Sequence, residues 1–344
     1  MDIHIEKLDP SHFEDVKGII ENYPFHDYRR YKTVKVNKEY LYQQIQSFLP
    51  SPLAPHPLSL WERVGVRVGE GEVVSARVSG VLAGIISLRT LPWDSNLFGI
   101  KMGKIEHIIV SPLMEPSIQE SVIKILLQQA SIFAKENEIQ HISVKADTDD
   151  HLLIMELQNA GFYIVDCLIT YINEINIKPF GMPSLFNIRE YQREDRERII
   201  EIAREAYGNY IGRFNIDHYI PKSKGLDFYL EWTKNCCDGI EADVMMVAEK
   251  GGKVVGFLCF KANKILNDLS NKIKYMGRGL SAISKDGRGA YVSLVSEFIK
   301  HSVKTSTMID YDTQINNFSV IRIWNKLGLS YVRSKHTFHK WFGE

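Results

Sequence analysis

Gly287 and Gly289 flank an arginine in the run Ser284-Lys285-Asp286-Gly287-Arg288-Gly289-Ala290-Tyr291. An apolar, small-residue strand pattern, Gly279-Leu280-Ser281-Ala282-Ile283, leads into it. Val292, Leu294, Val295, Phe298, Ile299 and Val303 come next at helical spacing. A glycine turn feeding a helix aims several backbone N–H groups at one spot, and the helix dipole adds positive potential there. That chemistry suits a phosphate or pyrophosphate. The glycines permit close backbone approach, and Arg288 adds a permanent cation. A glycine pair before a helix also serves as a plain strand-to-helix turn, so the meaning of the loop rests on the residues downstream of the helix.

Met308-Ile309-Asp310-Tyr311 reads as a strand, with Thr313 to Asn316 as its exit loop. A helix then opens at Asn317 and runs through Trp324 to Leu327-Gly328-Leu329. The combination resembles the GNAT superfamily of N-acyltransferases. Its members carry a glutamine- or arginine-rich glycine loop after the fourth strand, which binds acyl-coenzyme A pyrophosphate, and a later Asn-x-x-Ala-x-x-x-Tyr helix. The resemblance implies that Asp286, Gly287, Arg288, Gly289, Ala290 and Tyr291 form the coenzyme loop. Asn317 and Trp324 then occupy the later helix. Three residues depart from the pattern: Asp286 stands where Gln or Arg is usual, Tyr291 replaces the last glycine, and Trp324 replaces a tyrosine that often protonates the leaving thiolate. An indole cannot do that job. The resemblance further implies that a backbone N–H near Ser281, Ala282 or Ile283 polarises the thioester carbonyl. The pantetheine arm would lie along that strand, wedged open against Met308 to Asp312. Acyl-CoA is the implied co-substrate, and no metal is implied.

Acyl transfer to an amine also needs the ammonium to lose a proton and the thiolate to be neutralised. Candidate bases are Asp310, Asp312 and His339, and a positioned water can relay the proton instead. Candidate acids are Tyr291 and Tyr311. An Asp at a strand end also serves as a turn residue, and His336 and His339, on a strand-like ending, can face solvent. Arg213, His218 and Tyr219 fall in the region that folds over the acceptor in this superfamily, where rings and cations suit a nucleotide sugar. Phe228 and Trp232, four apart, read as a core stripe.

Leu91 to Ile100, Arg213 to Tyr219, Phe228 to Trp232 and Tyr331 to Trp341 resemble tandem-GNAT enzymes of the dTDP-fucosamine acetyltransferase type, which N-acylate nucleotide-linked amino sugars. The implied acceptor is a dTDP-linked deoxyamino sugar in lipopolysaccharide or O-antigen assembly. Alternatives are another small amine or a peptide as acceptor, and a non-catalytic acyl-CoA-binding module.

Two internal echoes organise the chain around these residues. Ala76, Gly80 and Gly84 superpose on Ala248, Gly252 and Gly256, each inside a two-strand pattern with a tight turn, at an offset of 248 − 76 = 172. Leu153 to Phe162 parallels Val320 to Leu329, at 328 − 161 = 167. The expected architecture is α/β: two tandem GNAT-like units, 1–178 and 179–344, each a mixed, mostly antiparallel twisted sheet flanked by helices. Pro179 to Ser184 marks the joint. In the first unit the counterpart of the phosphate loop, Val110 to Ser121, has no glycine, two prolines and two acids. Prolines remove N–H donors and carboxylates repel phosphate, so coenzyme binding is expected in the second unit alone. Ser11 and Glu14 have capping-box spacing for a helix from Ser11 to Tyr23. The basic, aromatic run from Tyr28 reads as a solvated helix edge.

The segment 49–72 carries four of the twelve prolines and reads as a surface excursion that can sustain neither helix nor central strand. The formal charge is zero, which gives no global support for nucleic-acid binding. Four cysteines without metal-ligand spacing read as reduced thiols. No apolar run reaches the roughly 20 residues of a membrane span, and the N-terminus lacks a signal-peptide pattern. A cytoplasmic protein is expected, with a homodimer left open.

Overall fold

Among the described residues, alternating and continuous apolar runs build twelve strands, and amphipathic runs between them build the helices that cover the sheets. The computed structural model describes residues 2–31, 36–49, 71–173, 185–270 and 273–343. Most of the proline-rich segment 49–72 and the joint at Pro179 to Ser184 lie outside the described residues.

The chain forms two compact units: Met1–Cys167 with Ser334–Glu344, and Leu168–Arg333. In the first, β1 (Ile3–Lys7), β2 (Gly71–Val78), β3 (Val81–Thr90), β4 (Met102–Val110), β5 (His141–Asp147) and β12 (Ser330–Trp341) lie in the order β1-β2-β3-β4-β5-β12. Among the described residues of this unit, only β4 and β5 pair in parallel. The helices here are α1 (Glu14–Asn22), α2 (Asn37–Gln46), α3 (Pro92–Phe98), α4 (Pro116–Glu136) and α5 (His151–Asn159). Helix α4 lays Val122, Ile123, Leu126, Leu127 and Ala130 on the sheet, the stripe its spacing predicts.

The second unit repeats the order, with β7 (Asn187–Glu190), β8 (Val244–Lys250), β9 (Lys253–Ala262), β10 (Lys274–Ile283), β11 (Thr307–Gln314) and Leu168–Ile172 of β6 (Tyr163–Ile172) arranged as β7-β8-β9-β10-β11-β6. Here β10 and β11 are the parallel pair. Its helices are α6 (Arg196–Tyr207), α7 (Arg213–Ile216), α8 (Lys222–Cys237), α9 (Lys264–Leu269), α10 (Ala290–Thr305) and α11 (Phe318–Lys326). Helices α6 and α8 cover one face around Ile199, Ile202, Leu230 and Phe257, while α10 and α11 cover the other around Leu294, Phe298, Ile309 and Trp324.

The repeat read from sequence reappears as register. Ala76 stands opposite Gly84 and Ala248 opposite Gly256, and each ladder slips at the next residue. A side chain at either position would crowd its neighbours. A Cβ on Gly84 would lie 2.8 Å from Val122, and one on Gly256 would lie 2.4 Å from Ile283. Gly161 and Gly328 end α5 and α11 alike in the left-handed conformation, at φ of 84° and 78°.

Three expectations are corrected. A division at 178/179 puts each half's last strand with its own half. In space Leu168–Ile172 pairs with β11, and Lys335–Trp341 pairs with β5. Each ladder is chosen by pairing across the sequence halves, which a linear reading cannot see. Ser11 does not cap α1: Asp9 accepts from the Ser11 N–H at 2.7 Å and starts a short 3-10 turn, so α1 begins at Glu14. The run from Tyr28 is not a solvated edge either. The Tyr28 ring meets Tyr31 and Tyr40 edge-on, all three are buried, and Arg29 bonds Asp147 at 3.0 Å.

Candidate functional site

Strands β10 and β11 pair over three positions, from Lys274↔Thr307 to Met276↔Ile309, and then part. Strand β10 continues to Ile283 and β11 to Gln314, so an opening widens toward their carboxyl ends. A bulge starts the divergence. The β9–β10 register slips between Gly277 and Leu280, and Arg278 sits at a φ of 51°, a strained value for a side-chain-bearing residue.

Past the bulge the peptide groups sort by parity. Ser284 N–H donates to the Val255 carbonyl at 2.9 Å. Antiparallel pairing alternates residue by residue, so Ala282 and Leu280 also face β9, while Ser281 and Ile283 turn their peptide groups to the opening. One of these is engaged: the Tyr207 hydroxyl donates to the Ser281 carbonyl at 2.6 Å. Tyr207 is buried and stacks on Tyr229, with centroids 4.5 Å apart. Sequence reading missed it, because it ends the α6 stripe at core spacing after Ala203.

The glycine loop closes the carboxyl end of β10. Gly287 is buried, and a Cβ there would stand 2.5 Å from the Val255 carbonyl oxygen and 2.9 Å from Ile283. Gly289 caps α10 at a φ of 94°. Both positions therefore demand glycine, and Tyr291 already lies inside the helix. The first N–H groups of α10 have no partner within the helix. Asp286 and Arg288 are exposed. The Lys285 N–H is taken by Glu205 at 3.1 Å, so one loop amide is occupied by a carboxylate. The Ser284 hydroxyl is buried without a partner.

On the α10 face three large polar-tipped side chains converge. Trp324, 1% exposed, donates its indole N–H to the Tyr291 hydroxyl at 3.1 Å. Burial pushes the Tyr291 phenol well up, against the pull of hydrogen bonds with Trp324 and Ser281. Tyr311, 2% exposed, packs edge-on to Trp324 and Phe260, and its hydroxyl has no partner. Burial, then the neighbouring Tyr291, raises its phenol far above the ordinary range. Asn317 precedes α11, and its side chain donates to Thr313 at 2.9 Å.

Two of the three candidate bases, Asp310 and Asp312, lie on β11. Asp310 is buried beside Arg333, 3.5 Å away, and Asp312 accepts from Thr170 at 2.5 Å. His339 belongs to β12 in the first unit. It stands opposite Ser143, edge-on to His141 at 4.4 Å, and it is buried rather than solvent-facing. Arg213 lays its guanidinium over Phe214 at 4.4 Å, while His218 and Tyr219 form an exposed turn with ring centroids 4.0 Å apart.

Comparison with known structures identifies the fold that holds this opening. A GCN5-related N-acetyltransferase from Sphaerobacter thermophilus superposes over 98% of this chain and 95% of its own, with a TM-score of 0.57 at 12% identity. The chain has the GNAT fold. A tandem GNAT protein from the clavulanic acid biosynthesis pathway covers 100% of this chain and 99% of its own, with a TM-score of 0.54 at 12% identity. Among curated sequences, the spore coat polysaccharide biosynthesis protein SpsD of Bacillus subtilis (strain 168) is 24% identical over 165 residues, 47% of this chain. The match spans 53% of that relative's length, about half. No protein-family model matches the chain. Among the described residues no helix is long and apolar enough to cross a membrane.

Proposed function

We propose that this GNAT-fold chain is an N-acyltransferase that moves an acyl group from acyl-CoA to the amine of a nucleotide-linked deoxyamino sugar, and that the product feeds a surface polysaccharide. The opening between β10 and β11, set directly before the glycine loop and the start of α10, carries the reading. The name of the distant relative supports the polysaccharide context.

The residues fit a coenzyme. The loop backbone is pressed so close to Val255 that a Cβ cannot stand at Gly287. The buried hydroxyls of Ser284 and Tyr311 lack partners that a ligand would supply. Acyl-CoA supplies an acyl group activated as a thioester. The first-turn amides of α10 and the Arg288 cation hold its diphosphate. Ser281 and Ile283 offer peptide groups to an extended arm, and a free N–H there polarises a carbonyl. Tyr291 and Tyr311, kept protonated by burial, donate to a leaving sulfur. Trp324, a donor only, fixes the Tyr291 oxygen. Arg213, His218 and Tyr219 offer a cation and rings to the acceptor, and a water beside Asp310 or Asp312 relays the amine proton.

The test is incubation of the full chain with acetyl-CoA and dTDP-linked amino sugars, following free thiol and product mass. Thiol release with an acetylated nucleotide sugar is expected. Release only with simple amines or peptides would move the acceptor, and coenzyme binding without turnover on any amine would leave a binding module. Neither turnover nor binding would end the reading.

A further inference from the structure

The first unit keeps the parallel pair but not the loop. Strands β4 and β5 pair from Met102↔His141 to Ile105↔Val144 and then part, as β10 and β11 do. At the mouth lies a cavity of about 340 Å³, lined by Tyr23 and Phe25 beyond α1, Ile108 on β4, Ile123 on α4, and Asp149 and Asp150 before α5. That volume, at the lower end for small-molecule sites, suits a single-ring ligand.

Its electrostatics exclude a diphosphate. Pro116 opens α4 and removes an N–H donor, Glu115 stands at the cap, and Pro112 lines the wall. On the other side three carboxylates succeed one another. Asp147 and Asp149 are paired with Arg29 at 3.0 and 2.8 Å, and Arg30 also reaches Asp149. Asp150 accepts the Leu153 N–H at 3.1 Å and, among the described residues, forms no ion pair, although the Arg29 charge nearby favours its ionised form. It is half-buried among the apolar walls.

We propose that this cavity binds a small organic ammonium ion, its charge against Asp150 and its ring-sized apolar body between Tyr23, Phe25 and Ile108. A desolvated carboxylate facing apolar walls gains most from an incoming cation. The aromatic pair, with Tyr23 and Phe25 centroids 5.7 Å apart, supplies a contact surface. Burial, with Asp147 nearby, pushes the Asp150 carboxyl up to about 6, so the site weakens as pH falls through that value. The other titratable groups around it are Asp147 on β5, Asp149 in the loop, His151 on α5, and Tyr23, His26, Asp27 and Arg29 beyond α1. Ile108 and Val110 on β4, and Gln119 and Ile123 on α4, line the wall without charge. The proposal does not depend on acyl transfer, because binding is read without coenzyme.

Calorimetry on the full chain tests it, with cyclohexylamine as the cationic probe and cyclohexanol as its neutral counterpart. Asp150→Asn keeps the helix cap, since Asn caps as well as Asp. Saturable cyclohexylamine binding is expected, weakened roughly tenfold or more by Asp150→Asn, by the neutral probe and by acidification to about pH 5. Phe25→Ala, which leaves the cap untouched, should also weaken it. Equal affinity in wild type and Asp150→Asn, equal binding of the alcohol, heat that never saturates, or displacement of the amine by coenzyme A would each overturn the proposal.

Discussion

Trp324 and Tyr291 meet through one hydrogen bond, the indole N–H donating to the phenol oxygen at 3.1 Å. The indole has no lone pair to offer in return, so the Tyr291 proton must point elsewhere. On the proposed reading, Trp324 supplies a hydrogen-bond donor on α11 and Tyr291 the acid on α10. Tyr291→Phe should therefore lower kcat by about 10²-fold, with the KM for acyl-CoA little changed. Trp324→Tyr should retain activity, since a phenol restores a proton donor on α11. Steady-state kinetics on the two variants would distinguish them, and complete loss in Trp324→Tyr would mean that the indole contributes more than a hydrogen bond.

The glycine loop separates folding from binding. Gly287→Ala drives a Cβ into the Val255 carbonyl and should destabilise by about 1–3 kcal/mol while shifting the loop. Gly289→Ala keeps a left-handed φ and should cost about 1–2 kcal/mol. Arg288→Glu, on an exposed side chain, should leave the melting temperature unchanged and weaken coenzyme affinity through repulsion alone. Thermal melts beside coenzyme titrations check all three.

Asp150 makes the fold pH-sensitive in an uncommon direction. Its carboxyl rises from 3.8 to about 6, so between those values the folded chain holds more protons than the unfolded one. That contribution is complete below about pH 4 and is lost as pH rises through 6. Asp150→Asn keeps the cap without the charge. It should be more stable than wild type by about 1–2 kcal/mol at neutral pH, after discounting for partial exposure, and equal to it below about pH 4. Urea melts at both pH values read the difference.

Excision of Pro50 to Glu70, replaced by a short Gly/Ser linker, should leave the melting temperature and coenzyme binding nearly intact, because proline-dense sequence adds little to a sheet core. Loss of solubility or of binding would show that the segment packs on the unit.

How much of the molecule is legible in its sequence depends on the range of each interaction. The glycine loop, the α10 stripe and the hairpin echo were legible, because turn residues and helical spacing act within a few positions. The echo even carried register, since Gly84 and Gly256 each sit where a side chain would crowd its neighbours. Tyr207 on the Ser281 carbonyl was not legible, because 74 residues separate them and the tyrosine obeys core spacing. Nor was His339, whose place opposite Ser143 depends on a ladder between distant strands. The Asp150 cavity stayed hidden because its walls come from four separated segments.

Titration calorimetry with coenzyme A tests the central claim most directly, run on wild type, on Arg288→Glu in the second unit's loop, and on Ser117→Glu at the matching helix start of the first. One coenzyme bound per chain, with affinity falling in Arg288→Glu and unchanged in Ser117→Glu, is the predicted result. No coenzyme binding in any of them, or affinity lost only in Ser117→Glu, would contradict it.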